Sequence, residues 1–180
     1  GRNFEYYSED ALISGKMAAA ISRGVQSQGG VGVTIKHFCC NNQEDNRNRV
    51  SENVSQRALR EVYLRAFRIA VTEGKPWCVM SSYNKVNDVY VCNSEEFCTR
   101  VLREEWNFDG VVMSDWNATD QCSHSEAINA GNDLIMPGNG AVEKSLKEAL
   151  KTGALNRETL NDSAGRILEM IFASDTCKGF

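Results

Sequence analysis

The stretch Gly110-Val111-Val112-Met113-Ser114-Asp115-Trp116 joins a short apolar run to a carboxylate and a tryptophan. Similar apolar runs occur at three other places in the 180-residue chain: Val31-Gly32-Val33-Thr34-Ile35, Trp77-Cys78-Val79-Met80 and Asp133-Leu134-Ile135-Met136. Runs of this kind are typical of strands buried on both faces, as parallel strands are. The sequence therefore predicts four parallel strands.

Segments with a helical period separate these runs. Ser51 and Ser94 are predicted N-caps of the second and third helices. Other helices are predicted over residues 10–26, near 126–130, over 141–150, and from Asn156 or Thr159 onward. The apolar positions expected to face inward are Leu12, Met17, Ala20 and Ile21 on the first helix, Val54, Ala58, Val62, Ala66 and Ala70 on the second, Phe97, Val101 and Leu102 on the third, and Leu160, Ala164, Ile167, Leu168 and Ile171 on the last.

Alternating strands and helices predict an α/β fold with a parallel sheet. The even spacing favours part of a TIM-type (β/α) barrel over a Rossmann sheet. The glycine-rich stretch Gln28-Gly29-Gly30-Val31-Gly32 precedes a predicted strand, so it cannot place a phosphate at the start of a following helix. We therefore interpret these glycines as a tight turn and exclude a nucleotide site.

Composition narrows the class of protein. Lys and Arg number 20 against 24 Asp and Glu, for a net charge of −4, which gives no general attraction to nucleic acid or to an anionic membrane surface. No apolar stretch has the length of a membrane span, and residues 1–5 do not resemble a signal peptide. We expect a cytoplasmic protein with neither nucleic acid nor membrane as a partner.

The seven cysteines show no spacing typical of a metal site, so no metal is expected. No cofactor is expected either. Reduced, structural thiols are the favoured interpretation, and a disulfide such as Cys78–Cys92 is the alternative. A thiol nucleophile is disfavoured. His37 lies so close to Cys39 in sequence that the two are expected to share a strand end, and no third group that would orient the histidine is evident.

Polar and aromatic residues follow each predicted strand. In a parallel barrel, the carboxyl ends of the strands share one mouth, where active sites form. Asp115 is the strongest candidate because it follows an apolar run and precedes Trp116, although an Asp in this position could also be a helix N-cap. A carboxylate among hydroxyls, cations and aromatic rings favours a sugar site. The residues at the strand ends are Lys36-His37-Phe38, Ser81-Ser82-Tyr83-Asn84, Ser114-Asp115-Trp116 and Pro137-Gly138-Asn139.

Five motifs in order carry a resemblance to a known family. They are Gly1-Arg2-Asn3-Phe4-Glu5 with Ser8-Glu9-Asp10, Lys36-His37-Phe38 with Asn41-Asn42-Gln43-Glu44, Met80-Ser81-Ser82-Tyr83-Asn84, Phe108-Asp109-Gly110 and Ser114-Asp115-Trp116. With them the chain resembles the barrel domain of glycoside hydrolase family 3, in its β-glucosidase and β-xylosidase branch. The loop after the lysine-histidine motif has no histidine, which disfavours the branch that acts on N-acetylglucosamine.

The resemblance implies a retaining exo-acting β-glycosidase, most simply a β-glucosidase acting on a β-linked glucoside or oligosaccharide. Asp115 would be the nucleophile. The implied sugar-binding residues are Arg2, Lys36, His37, Met80, Tyr83 and Trp116. Asn117 stands where many members of the family have glycine.

A retaining mechanism needs a second carboxyl about 5 Å from the first. Glu44 is the best internal candidate, but a partner for Arg47 or Arg49 is its simpler role. In the branch of the family that this chain resembles, this acid comes from a separate domain. We therefore expect residues 1–180 to be one incomplete barrel domain, with the acid on a second domain or partner chain. A β-xylosidase or arabinosidase, and a catalytically silent carbohydrate-binding fragment, remain the alternatives.

Overall fold

A parallel three-stranded sheet lies at the centre of the structure, a computed structural model that describes residues 1–177. The strands are β1 (Thr34–Phe38), β2 (Ser51–Glu52), β3 (Cys78–Ser81), β4 (Lys85–Val86), β5 (Val89–Tyr90) and β6 (Val111–Ser114). The central sheet has the order β1-β3-β6, so strands consecutive along the main alternation are neighbours in space. This arrangement is an arc of a parallel α/β barrel, as the strand and helix alternation predicts.

The helices alternate with these strands. They are α1 (Ala11–Gln26), α2 (residues 56–74), α3 (Glu96–Glu105), α4 (His124–Asn129), α5 (Gly140–Thr152) and α6 (Arg157–Ala173). Asp10, Asn139 and Asn156 cap α1, α5 and α6, since each side chain accepts hydrogen bonds from backbone N–H groups of the first turn. Parts of α2 and all of α3 have wide π-type turns, as in the bond from Leu64 N to Leu59 O.

A second small sheet, β2-β4-β5, was not predicted. Its hairpin turns at Asn87 and Asp88, whose φ angles of 47° and 71° suit a tight turn between antiparallel strands. Ser51 lies in β2, so its prediction as a helix cap is wrong. Ser55 caps α2 instead, through a hydrogen bond from Ala58 N to its Oγ.

Two predicted strands differ from the observed ones. β1 begins three residues later than the predicted run, because the turn continues through Gly29 and Gly30 at positive φ and Val31 is 45% exposed. The fourth run forms only a bridge between Met113 and Leu134. The N–H of Val112 donates to the Asp133 carboxylate, and the Val112 carbonyl accepts from the backbone N–H groups of both Asp133 and Leu134. A regular ladder of hydrogen bonds between β6 and the fourth run therefore does not form.

The core lies between the central sheet and helices α2 and α3. Phe38 is fully buried and meets Phe67, Phe97 and Trp106 edge to face, at ring centroid distances of 5.2, 6.2 and 6.0 Å. The inward face predicted for α3 is confirmed, since Phe97, Val101 and Leu102 are all buried. Aromatic edge-to-face contacts of this kind fix the orientation of β1 against the helices.

The inward face predicted for α1 is wrong. Ala20 is exposed, Leu12, Met17 and Ile21 are each 43% exposed, and the buried positions are Gly15, Ala19 and Ser22. Small residues make this contact because the backbones approach closely: a Cβ on Gly15 would lie 2.8 Å from Ile69 Cβ.

On the second and last helices, too, some of the residues predicted to face inward are exposed. On α2, Ala70 is buried but Val62 is 49% exposed, and Val54 lies before the helix. On α6, Ala164, Leu168 and Ile171 are exposed, while Leu160 and Ile167 are half-buried. Ser163 is the buried position of α6.

All seven cysteines are free thiols. The alternative of a Cys78–Cys92 disulfide is therefore not observed: Cys78 Sγ contacts Met170 Sδ at 3.2 Å, and Cys92 Sγ faces Cys122 Sγ at 3.4 Å. Within residues 1–177, no helix has the length and apolarity that crossing a membrane requires.

Candidate active site

Asp115 directly follows β6 at the carboxyl end of the central sheet. Its backbone N–H donates to the carbonyl of Ser81, 3.0 Å away, and its Oδ1 accepts from the N–H of Trp116 at 2.7 Å. The residue is only 9% exposed. The short helix that follows, Ala118–Gln121, has Asn117 as its N-cap residue and no side-chain capping hydrogen bond. The N-cap interpretation of Asp115 is therefore excluded.

His37 faces Asp115 from β1. Its Nε2 lies 3.4 Å from Asp115 Oδ2, and its Nδ1 lies 3.1 Å from the hydroxyl of Tyr6, which also contacts the carbonyl of Asn41 at 2.8 Å. Burial lowers the pKa of His37 to about 4, even though the Asp115 carboxylate opposes this shift. The imidazole is therefore neutral near pH 7.

Glu5 joins the predicted sugar-binding cations. Lys36 Nζ donates to Glu5 Oε1 at 2.9 Å, Arg2 donates to Glu5 Oε2, and His37 Nδ1 lies 3.9 Å from the same oxygen. Burial alone would raise the pKa of Glu5, but the hydrogen bond from Lys36 and the nearby positive charges lower it. Glu5 is thus an ionised anchor for the Arg2 and Lys36 side chains.

Arg2 is nearly buried, with 3% of the residue exposed. Its guanidinium donates to Glu44 as well as to Glu5. Glu44 also forms the predicted ion pair with Arg47, at 3.0 Å. Arg2 Nε has no hydrogen-bond partner among the residues described, so one donor remains free.

Tyr83 lies beside the Asp115 carboxylate. Its hydroxyl donates to the carbonyl of Trp116 at 2.9 Å. Burial, followed by the Asp115 charge, raises the pKa of Tyr83 to about 12. The guanidinium of Arg47 lies over the Tyr83 ring, 4.7 Å from its centre. Tyr83 is therefore fixed at both its ring and its hydroxyl.

Met80 and Trp116 occupy different environments. Met80 is half-buried on β3, paired in register with Met113 of β6. Trp116 is 56% exposed at the rim. The next residue, Asn117, has a φ of 60°, a left-handed conformation that glycine and asparagine adopt most readily. This conformation explains why asparagine can stand in the place of a glycine.

Small polar residues connect the strand ends beneath the site. Ser81 Oγ donates to Asn132 Oδ1 at 2.8 Å, and Ser114 Oγ accepts from Met136 N at 2.9 Å. Ser82 Oγ donates to the carbonyl of Cys39 at 3.0 Å. These bonds satisfy buried polar groups and hold the loops that carry the site.

Three residues of the site were not proposed from the sequence as sugar-binding or catalytic: Glu5, Tyr6 and Arg47. Glu5 and Tyr6 follow Arg2 closely in the chain, and Arg47 follows Glu44 by three residues. The only indication in the sequence was that these residues lie near assigned ones. This indication is weak, because neighbours in sequence need not share a site. The contacts of Glu5 with both Arg2 and Lys36 are visible only in the folded chain.

A cavity of 330 Å³ lies along β1, between α1 and α2. Its lining includes Glu5, Lys36 and His37 as well as apolar side chains such as Ile21 and Phe67. Asp115 is absent from its lining, so this cavity is separate from the carboxylate itself. Among residues 1–177, no group of three or more His, Cys, Asp or Glu side chains could hold a metal ion.

The strand ends of this parallel barrel arc carry a carboxylate, paired cations and aromatic rings, a combination of groups that suits the binding of a sugar. The family described as "Glycosyl hydrolase family 3 N terminal domain" matches residues 1–170. This chain therefore belongs to glycosyl hydrolase family 3.

Curated relatives are similar over nearly the whole chain. Thermostable beta-glucosidase B of Acetivibrio thermocellus is 46% identical over 173 residues, which is 96% of this chain and 22% of that protein. A beta-glucosidase of Rhizobium radiobacter is 48% identical over 172 residues, 95% of this chain and 21% of that protein. The chain thus spans about a fifth of the length of these relatives.

Solved structures show the same fold. Beta-glucosidase 3B from Thermotoga neapolitana in complex with glucose superposes with a TM-score of 0.93 and 51% identity, over 99% of this chain and 26% of that one. The Bifidobacterium adolescentis GH3 beta-glucosidase gives a TM-score of 0.91 and 40% identity, over 99% of this chain and 26% of that one. The fold class, a partial family 3 barrel, is thereby confirmed.

Proposed function

We propose that this chain supplies the nucleophile and sugar-binding part of a retaining β-glucosidase that removes terminal β-D-glucosyl residues. The observation that carries the proposal is the position of Asp115: a nearly buried carboxylate at the end of a barrel strand, 3.4 Å from His37. The relatives named above, which are beta-glucosidases, support the choice of sugar.

The two oxygens of Asp115 have different surroundings, which suits a nucleophile. Oδ1 is held by the N–H of Trp116, and Oδ2 faces His37. In the first step Oδ2 attacks the anomeric carbon and forms a glycosyl ester, while the bond to the leaving group breaks. In the second step, water attacks the same carbon and releases Asp115 as a carboxylate, so the configuration of the sugar is retained.

The cations held by Glu5 beside His37 suit the hydroxyls of a neutral sugar. Lys36 is 42% exposed at the side chain and has protons beyond the one given to Glu5, and it is proposed together with Arg2 as a donor to the sugar. Hydrogen bonds that strengthen as the ring approaches an oxocarbenium ion lower the barrier. Met80, Tyr83 and Trp116 are proposed to wall this subsite.

The general acid must be a protonated carboxyl with a raised pKa. Glu5 does not fit, because its pKa is lowered and it is paired with Arg2 and Lys36. Glu44 is engaged by Arg2 and Arg47. We therefore propose that a second domain outside residues 1–180 carries the acid. The relatives are about five times longer than this chain, which leaves room for such a domain.

The test is to trap the intermediate in the full-length protein. A 2-deoxy-2-fluoro-β-glucoside with a good leaving group is incubated with the protein, and the labelled peptide is identified by mass spectrometry. The expected result is one fluoroglucosyl adduct on Asp115. An adduct on another carboxyl, or turnover of glucosides without any ester, would contradict the proposal. Glucose binding without turnover would indicate a silent binding module, and faster turnover of xylosides than of glucosides would indicate the xylosidase alternative.

A further inference from the structure

A pair of cysteines lies away from the residues assigned above. Cys92 Sγ and Cys122 Sγ are 3.4 Å apart, although the two residues are 30 positions apart in the chain. Cys92 belongs to the short helix Val91–Asn93 that follows β5. Cys122 follows the short helix Ala118–Gln121, seven positions after Asp115. The contact therefore connects the segment after the β4–β5 hairpin with the segment that follows Asp115 in the chain.

We propose that Cys92 and Cys122 form a thiol pair that reacts with a low-molecular-weight disulfide and closes reversibly to an intramolecular disulfide. A disulfide has its sulfurs about 2.05 Å apart. The two sulfur atoms therefore need to approach by only a little over 1 Å in total, a shift within reach of a loop and a single helical turn.

The surroundings of the two thiols differ in a way that gives each a separate role. Cys92 is fully buried, whereas Cys122 is half-buried, so an external disulfide reaches Cys122 first. The hydrogen bond from Cys92 lowers the pKa of Cys122, against the effects of burial and of the Glu126 and Asp120 carboxylates. The same hydrogen bond, together with burial, raises the pKa of Cys92. Cys122 is thus the attacking thiolate and Cys92 the resolving thiol.

The exchange balances without any further reactant. The Cys122 thiolate attacks one sulfur of the external disulfide, and one small thiolate leaves. Cys92 then loses its proton and attacks the Cys122 sulfur of the mixed disulfide, and the second small thiolate leaves. Two protein thiols are oxidised, one external disulfide is reduced to two thiols, and an excess of small thiol reverses the reaction.

Asn93 positions both sulfur atoms. Its Oδ1 lies 3.0 Å from Cys122 Sγ and 3.6 Å from Cys92 Sγ, and its Nδ2 donates to Glu126 Oε2 at 3.1 Å. Glu126 lies in the first turn of α4, which begins directly after Cys122 and Ser123. Hydrogen bonds from both segments, the one with Cys92 and Asn93 and the one with Cys122 and Glu126, therefore hold the thiol pair in place.

The experiment uses the full-length protein, treated with glutathione disulfide under native conditions, alkylated, and digested without reduction. Peptide mass spectrometry should find a Cys92–Cys122 cross-link. Cys177 is the matched control, because it is the other half-exposed cysteine of residues 1–177. It should acquire a glutathionyl group without forming a cross-link, which also shows that the reagent is active.

Two variants separate the roles of the thiols. Cys92→Ser should accumulate a stable glutathionyl group on Cys122, and Cys122→Ser should leave Cys92 unmodified. The cross-linked protein should show a higher unfolding temperature and slower amide exchange over residues 116–123, both reversed by dithiothreitol. The proposal is overturned by a persistent mixed disulfide on Cys122 in the unsubstituted protein, or by reaction of Cys177 while both Cys92 and Cys122 remain free.

Discussion

His37 Nε2 lies 3.4 Å from Asp115 Oδ2, and the two side chains reach this contact from different strands, β1 and the end of β6. Since β3 lies between those strands, the contact spans the central sheet. The position of one of these two side chains therefore constrains the other.

The buried His37 gives a pH dependence to stability. Its pKa is lowered from 6.5 to about 4, so the unfolded chain binds more protons than the folded chain between these values. The stabilising contribution is complete above about pH 6.5 and is lost as the pH falls toward 4. Urea unfolding at a series of pH values should show this slope. His37→Asn should flatten it.

Loss of the proposed nucleophile should nearly abolish turnover. In the full-length protein, Asp115→Gly is expected to lower kcat by roughly three orders of magnitude or more, because no other group can form the ester. Added azide should restore turnover by attacking the same face of the sugar, and should yield the α-glucosyl azide. A β-configured azide, or a variant with unimpaired turnover, would be incompatible with Asp115 as nucleophile.

Glu5→Gln tests the anchor of Arg2 and Lys36. A glutamine keeps the shape but loses the charge, so the two cations should lose their fixed positions. Loss of charge-assisted hydrogen bonds of about 1.5–3 kcal/mol corresponds to a fall in kcat/KM of about 10- to 100-fold. Glu9→Gln, an exposed carboxyl on the same loop, is the control.

A positioning role for Glu5 also predicts which quantities stay constant. The urea midpoint of Glu5→Gln should remain close to that of the unsubstituted protein, while its affinity for glucose falls. Equal losses of stability and activity would instead assign Glu5 a purely structural role.

Asp133 is the carboxylate whose loss should cost the most stability. Its side chain is fully buried and accepts from Arg103 at 2.6 Å, from Arg166 at 2.8 Å and from Val112 N at 2.8 Å. Asp133→Asn leaves two partly buried guanidinium groups without a counter-charge, and should lower the free energy of unfolding by about 3–5 kcal/mol. Chemical denaturation measures this loss. Glu143→Gln, in an exposed pair with Lys147, should leave the midpoint unchanged.

The sequence predicted the alternation of the fold well, because burial imposes apolar runs on parallel strands and a helical period on the helices. It failed for α1, where Leu12 and Met17 are exposed and Gly15 makes the contact. Apolar periodicity cannot identify a face that approaches its neighbour through small residues. It also missed the β4–β5 hairpin, whose only local indication is the pair Asn87 and Asp88.

For the candidate site, strand ends predicted that Asp115, His37 and Lys36 lie at one edge of the sheet, because the topology brings such residues together, and His37 does contact Asp115. The partners of these residues were harder to find. The hydroxyl of Tyr83 donates to a backbone carbonyl, and Glu5 reaches Lys36 across 31 positions of the chain. Contacts of this kind depend on loop conformation, which has no periodic pattern in the sequence.

The ion pairs around Asp115 have a consequence for the ionic-strength dependence of binding. Three cations, Arg2, Lys36 and Arg47, accompany three carboxylates, Glu5, Glu44 and Asp115, so the cluster has no net charge. A balanced cluster produces little field beyond one Debye length, about 10 Å at 0.1 M salt. The KM for a neutral glucoside should therefore change little with added salt, and an anionic sugar should gain no advantage in its rate of encounter.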